Sequence, residues 1–374
     1  MKIALVKQDV YSDLYVHGRD ASPEELLMSS IGRSGPIGLF TMYDTDFYIV
    51  KEENTKECHV WKKIIPHMSK EFLKLKTETI DKVKGMDFQI SPTGKGHADF
   101  SVSCDSIDWE QYDIVISINC SIPTRIVHKY PKILWAYMIG EANFLQDRVY
   151  FGYDVSLNQK IEGNYDRANG IIDFPYTFVG PDCLEKIMEK RLGRTAIKQG
   201  IYGEINTTTE RPVKRIPQFE PISEATGQPI KVHTQIIGEN MQEIFDSKYY
   251  LKVGGRKTRG NGAIEAISLG TVALLSPDDI ICTQILPPES WVMDAEDAIQ
   301  KIKFLDSHPE EYAKLLEKQR SLVKQFVVDY PMHYLLEAAK TKKGPNRYVN
   351  YSNLKYGTDI AKKVVRRYKL RKRK

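Results

Sequence analysis

No apolar run in this sequence approaches the roughly 18 residues that a membrane-spanning helix needs. The N-terminal stretch Ile3-Ala4-Leu5-Val6 stops at Lys7, too early for the apolar core of a secretory leader. Cysteine is scarce and scattered: five residues, at 58, 104, 120, 183 and 282, with no C-x-x-C pair. That excludes a zinc ribbon and a redox dithiol, and it fits a reducing, cytoplasmic compartment. The histidines show no metal-ligand spacing, and no internal repeat is present. Acidic side chains are missing from Lys362 to Lys374, a stretch with nine basic ones. The remainder holds 45 Lys and Arg against 49 Asp and Glu, so the formal +5 of the 374-residue chain is a body at −4 with a cationic tail. Overall basicity therefore says nothing about what the body binds.

What is present is ordinary globular material, 41% hydrophobic and 28% charged. At roughly 100–200 residues per domain, the length predicts two or three domains. Short apolar strands alternate with amphipathic helices, the mark of an α/β fold. Strands are expected at Lys2–Lys7, Asp113–Ile118, Ile133–Met138 and Val149–Leu157, and a charged helix around 185–194 ends at Gly193. The rhythm then repeats, with strands at Gln199–Ile205, Ile230–Ile237, Tyr249–Val253 and Thr271–Leu275, and helices at Asn240–Phe245 and Ala263–Leu269. Ser307 and Glu310 fit a capping box for a helix that runs through Phe326 and stops at Pro331. The expected division is 1–193, 194–331, and a helical segment 332–374 that packs back on the first domain and ends in the tail. Two Rossmann-like domains facing across a cleft follow, with ligands at the carboxyl ends of the strands.

The segment richest in chemistry is Lys252 to Val272: a strand, a cationic glycine-rich turn, a helix start and another strand. Gly255 and Gly262 let the backbone approach a ligand closely. The N–H groups at the helix start, around Asn261, favour a phosphate. Arg256 and Arg259 suit bidentate bonds to a diphosphate. Glu265, one turn into the helix, is placed to accept from a sugar or ribose hydroxyl. A second polar loop, Gly203 to Pro212, offers Asn206 and Arg211 for phosphate or base contacts.

Glu265-Ala-Ile-Ser-Leu-Gly270-Thr-Val-Ala-Leu-Leu resembles the C-terminal nucleotide-sugar signature of GT-B glycosyltransferases, E-A-x-x-x-G followed by an apolar strand. The closer similarity is to exostosin-like and capsule- or spore-polysaccharide-type transferases. The resemblance implies transfer of a hexosyl or pentosyl group from a nucleotide-sugar to a hydroxyl of a glycan or lipid-linked glycan, in polysaccharide or glycoconjugate biosynthesis. It implies that Glu265 binds the donor's ribose or sugar hydroxyls. It also implies no cofactor beyond the nucleotide-sugar co-substrate and no catalytic metal; Asp44-Thr45-Asp46 has Asp-x-Asp spacing, but it leads into the strand-like Phe47–Val50. The E-x7-E pattern of retaining members is broken, because Lys257 stands eight residues before Glu265.

An inverting transfer needs a general base near the acceptor hydroxyl. Asp13, His17 and Glu141 are candidates because each lies just past an expected strand of the first domain. A nucleotide-sugar epimerase of the same architecture, or a non-catalytic binding protein using the tail, are the alternatives. Val364, Val365, Tyr368 and Leu370 interleave the tail's charges. Peripheral contact with an anionic membrane surface is its expected use, at about 1 kcal/mol per basic side chain; a solvated end is the other. No nucleic-acid partner is expected.

Overall fold

The computed structural model describes residues 1–8, 36–50, 103–118, 120–138, 149, 152–204, 219–232 and 237–342, with 361, 365 and 368. Among them, in chain order, are β1 (Lys2–Gln8), β2 (Asp44–Val50), β3 (Ile114–Ile118), α1 (Thr124–Lys129), β4 (Leu134–Met138), β5 (Val155–Asn158), β6 (Tyr165–Asp166), β7 (Ile171–Asp173) and α2 (Cys183–Leu192). Then come β8 (Ile201–Gly203), α3 (Glu220–Thr226), β9 (Ile230–Val232), α4 (Ile237–Asp246), β10 (Tyr249–Lys252), α5 (Asn261–Ser268), β11 (Val272–Leu275), α6 (Ala295–Ser307), α7 (Pro309–Val323) and α8 (Tyr330–Thr341).

The strands form two sheets, in the orders β2-β1-β3-β4-β5-β7-β6 and β11-β10-β8-β9. Every pair is parallel except β6 with β7. In each sheet the strand order reverses beside the first strand, so both units are Rossmann-like, with switch points at β1/β3 and β8/β10. The α/β class expected from the sequence is the one observed.

The strand pattern explains the packing. β3 and β4 are buried at every position, as parallel strands covered on both faces must be. Alternate residues then serve different cores. Ile114, Ile116 and Ile118 join one cluster, while Val115 joins Trp109 and Trp135 in another. The first cluster also takes in Tyr202, Tyr250 and Ala273 of the second sheet and Leu335 of α8, so the two units share one continuous core. Val272, Leu274, Leu251 and α6 build a third cluster on the far face of the second sheet.

Several boundaries differ from the sequence reading. β5 covers only the end of the expected strand Val149–Leu157. β9 ends at Val232, and α4 begins at Ile237 because Met241, Ile244 and Phe245 are buried at helical spacing. α6 is an additional helix, capped where the Asp294 side chain accepts from the Asp297 N–H at 2.9 Å. It displaces the expected capping box. Ser307 is its last residue and donates back to the Lys303 carbonyl at 2.9 Å, leaving His308 as the cap of α7. Pro331 does not stop the helix. A π-helical stretch, Lys324–Asp329, resets the bonding, and Pro331 falls in the first turn of α8, where its missing N–H is harmless.

α8 lies against the first sheet's edge. The Arg167 guanidinium forks onto Glu337 at 2.7 Å on both arms. Lys342 donates to Asp154 at 2.6 Å in a largely buried pair.

Candidate functional site

β10 sits in the middle of the second sheet and its carboxyl end opens into the cationic turn. Gly254 and Gly255 take φ of 92° and 80° there, and Gly260, with φ of 102°, caps α5. Only glycine holds such angles without strain. The turn is braced from below: the Gly254 N–H donates to Asp279 Oδ2 at 2.7 Å, and Thr258 pairs with the 279–281 segment. No side chain caps α5, so Gly260 leaves its N-terminal N–H groups without a competing acceptor at that position.

Gly262 shows why its side chain must be absent. A Cβ there would run into the Tyr250 hydroxyl. That hydroxyl donates to Glu204 Oε2 at 2.5 Å, and its ring stacks on Tyr202 at 5.7 Å. Burial, then the Glu204 carboxylate, push the Tyr250 hydroxyl well above the phenol range, so it stays protonated as the donor. Glu204 follows β8, the other strand of the switch point. Its second oxygen lies 3.7 Å from Lys252 Nζ. Lys252 is fully buried, and its ammonium makes no hydrogen bond. Gly262, Tyr250, Glu204 and Lys252 thus form a contiguous floor beneath the start of α5, at the place where a doubly wound sheet binds ligands.

Six of the expected donor residues belong to this turn and helix. Gly255 lies buried in the turn with φ of 80°, and Gly262 is the second residue of α5. Arg256 is half-buried, with its Nε turned inward and without a hydrogen-bond partner. Asn261 opens α5, and Glu265 is buried on it, close enough to influence Tyr250. Arg259 points elsewhere: its guanidinium lies 5.3 Å over the ring of Tyr176, in the loop that leaves β7 of the first sheet. Asn206, Arg211, Asp13, His17 and Glu141, and all but Val365 and Tyr368 of the polybasic tail, lie outside the described residues. Asp44 and Asp46 belong to β2, and Asp46 is engaged by Lys2 at 3.2 Å and by the Tyr112 hydroxyl at 2.6 Å.

Sequence reasoning assigned no role to Lys252 or Glu204. Lys252 left a signal, since it is the one charged residue of Tyr249-Tyr250-Leu251-Lys252 and stands at the strand's carboxyl end. Glu204 left none, because its meeting with Lys252 depends on β8 lying beside β10.

No family model and no curated protein matches the chain. Solved structures do. T4 phage beta-glucosyltransferase in complex with UDP and Mn2+ is similar at 10% identity, over 91% of this chain and 99% of that one, with a TM-score of 0.40. An alpha-glucosyltransferase in complex with UDP-glucose and DNA containing an abasic site gives 12% identity, 91% and 100% coverage, and a TM-score of 0.41. Sucrose-phosphate synthase from Thermosynechococcus elongatus gives 11%, 91% and 98%, and 0.38. These likenesses concern the course of the chain alone.

Among the described residues no group of three His, Cys, Asp or Glu side chains could hold a metal, and no helix is long and apolar enough to cross a membrane.

Proposed function

We propose that the chain is a GT-B-type glycosyltransferase that moves a hexosyl or pentosyl group from a nucleotide-sugar to a hydroxyl of a glycan or lipid-linked glycan. One observation carries the reading. A fully buried lysine without a hydrogen bond lies at the switch point of a parallel sheet, beneath a glycine turn and an uncapped helix start. Glu204, at 3.7 Å, balances its charge without accepting a hydrogen bond from it; a buried ammonium with unused donors is costly until acceptors complete it, and a diphosphate entering at the α5 N-terminus supplies them.

In this reading the acceptor oxygen attacks the anomeric carbon while the bond from that carbon to the diphosphate oxygen breaks. The electron pair leaves with the nucleoside diphosphate, and the acceptor's proton passes to a base of the first domain, for which Asp13, His17 and Glu141 remain the proposed residues. Lys252 and Arg256 meet the developing negative charge, and Arg259 joins them by leaving Tyr176. Glu265 accepts from a donor hydroxyl. The domain division at 193/194, a C-terminal segment from 332, and membrane contact through Lys362–Lys374 belong to the same proposal. Because side-chain cations supply the charge, chelation with EDTA is expected to leave transfer within twofold of its untreated rate; a drop of tenfold or more would show a metal requirement.

The test is a thermal-shift panel of nucleoside diphosphates and nucleotide-sugars. A ligand that binds only the folded chain at 100 times its Kd stabilises it by about 2.7 kcal/mol. Glu265→Ala should weaken the best nucleotide-sugar about tenfold, the value of one charge-assisted hydrogen bond, read against the variant's own melting point because Glu265 is buried. No shift with any member of the panel sinks the reading. An acceptor screen with glycan, lipid-linked glycan and double-stranded DNA arms then separates the acceptor classes.

A further inference from the structure

The place where the loops of one sheet meet those of the other holds a polar cluster that the donor reading leaves unused. Asp173 closes β7 and is 6% exposed. Its Oδ2 has no hydrogen-bond partner, and the Asn164 backbone N–H serves the carboxyl group. On its own side Asp173 faces the repelling charge of Glu162 and the attracting charge of Lys160. Lys160 is already shared, its Nζ lying 3.4 Å from Glu162 Oε2.

The second unit closes the cluster from the other side. The Ile161 backbone N–H donates to the sulfur of Cys282, which also feels Arg259, Glu162 and Asp173. The Cys282 N–H donates to the Arg259 carbonyl at 3.0 Å. Tyr176, three residues past Asp173, carries the Arg259 guanidinium on its ring. The loops leaving β5 and β7 are therefore in direct contact with the donor turn and with the 280–282 segment behind it.

We infer that Asp173 is a proton-operated latch between the two units. Protonated, it lets the 159–164 loop close on Cys282. Ionised, it is a buried carboxylate with one oxygen lacking a hydrogen bond and a second carboxylate beside it, and local opening, which hydrates it, is favoured. Arg259 belongs to both the latch and the donor turn, so the latch sets where that turn lies; only this consequence rests on the proposed activity.

The sign follows from the acid's position. Burial, then Glu162, push the closed-state carboxyl up to about 6, against roughly 4 for a hydrated one. The closed form therefore binds the proton more tightly, and its advantage is lost as pH rises through 6. With those two values the opening constant rises about tenfold between pH 5 and pH 8.

Cys282 reports the opening, being buried in the latch, with desolvation raising its thiol to about 12. The full chain is labelled with 4,4′-dithiodipyridine from pH 5 to 8. Modification of the Cys282 peptide is followed by mass spectrometry and divided by the rate for free cysteine at each pH. The expected result is a normalised rate that climbs about tenfold with a midpoint near 6 and is flat within twofold in Asp173→Asn. Glu162→Gln, which removes the neighbouring charge, should move the midpoint to lower pH, and it tests the latch even if Asp173→Asn fails to fold. A flat wild-type profile, a rise retained in Asp173→Asn, or an unmoved midpoint in Glu162→Gln overturns the inference. None of these readouts needs a nucleotide, so the latch and the proposed activity stand or fall separately.

Discussion

Lys252→Met is expected to lower nucleoside-diphosphate affinity 10- to 100-fold and, separately, to destabilise the fold by about 3 kcal/mol. The two effects have different origins. Lys252 is 0% exposed and 3.7 Å from Glu204, itself 7% exposed. Removing the ammonium leaves the Glu204 carboxylate buried without its counter-charge, beside the Tyr250 hydroxyl that donates to it, and breaking a buried pair costs about 3–5 kcal/mol. The affinity loss instead reflects charge-assisted bonds to the ligand, about 1.5–3 kcal/mol. The double variant Lys252→Met/Glu204→Gln separates them, since it removes both charges together. Denaturant unfolding should show most of the lost stability restored, while calorimetry with UDP, or the panel's best nucleotide, should show affinity still depressed. Wild-type affinity in the double variant would mean that Lys252 only balances Glu204, and the anion site would have to be sought elsewhere on the turn.

Gly38→Ala should cost about 3 kcal/mol or more, through a clash that no side-chain rotation relieves. Gly38 lies in the short 3-10 turn Ile37–Thr41, where a Cβ would overlap the Phe178 backbone carbonyl and press on the Val179 Cα. Both obstacles are main chain. Phe178 and Val179 are core residues on the segment between β7 and α2, so the backbone there cannot shift without opening the shared core. Gly193→Ala is the control. Gly193 caps α2 with φ of 63° but has nothing within reach of a Cβ, so only backbone strain applies, about 1 kcal/mol. Chemical denaturation of both variants tests the contrast. A Gly38→Ala protein as stable as Gly193→Ala would show that the close approach to Phe178 is wrong.

Much of this molecule could be read before folding. Runs such as Ile114–Ile118, apolar but for Ser117, and Val272–Leu275 are buried at every position, and a strand covered on both faces favours that near-continuous apolar composition. The glycine-arginine turn before Asn261 was equally legible, because a turn, a cap and a helix start are local events encoded by adjacent residues. Two local signals are overridden by packing. Ser307 and Glu310 have capping-box spacing, yet Ser307 was claimed by α6, whose buried Ala298, Ile299, Ile302 and Leu305 outweigh one cap. Pro331 looked like a terminator because sequence shows that it lacks an N–H, not that a π-helical stretch before it makes that N–H unnecessary.

The sequence by itself determined the α/β class, the main buried strands and the glycine-rich turn that leads into α5. Only the tertiary structure decided what lies under that turn and beside it. Lys252 and Glu204 are 48 residues apart by their positions, Asp173 and Cys282 more than 100. Their meeting requires β8 to pair with β10, and the loops after β5 and β7 to reach the second unit. The physical reason is the range of the information: caps, turns and strand periodicity depend on neighbours a few residues away, whereas a buried charge is defined by which distant partner shares its interior.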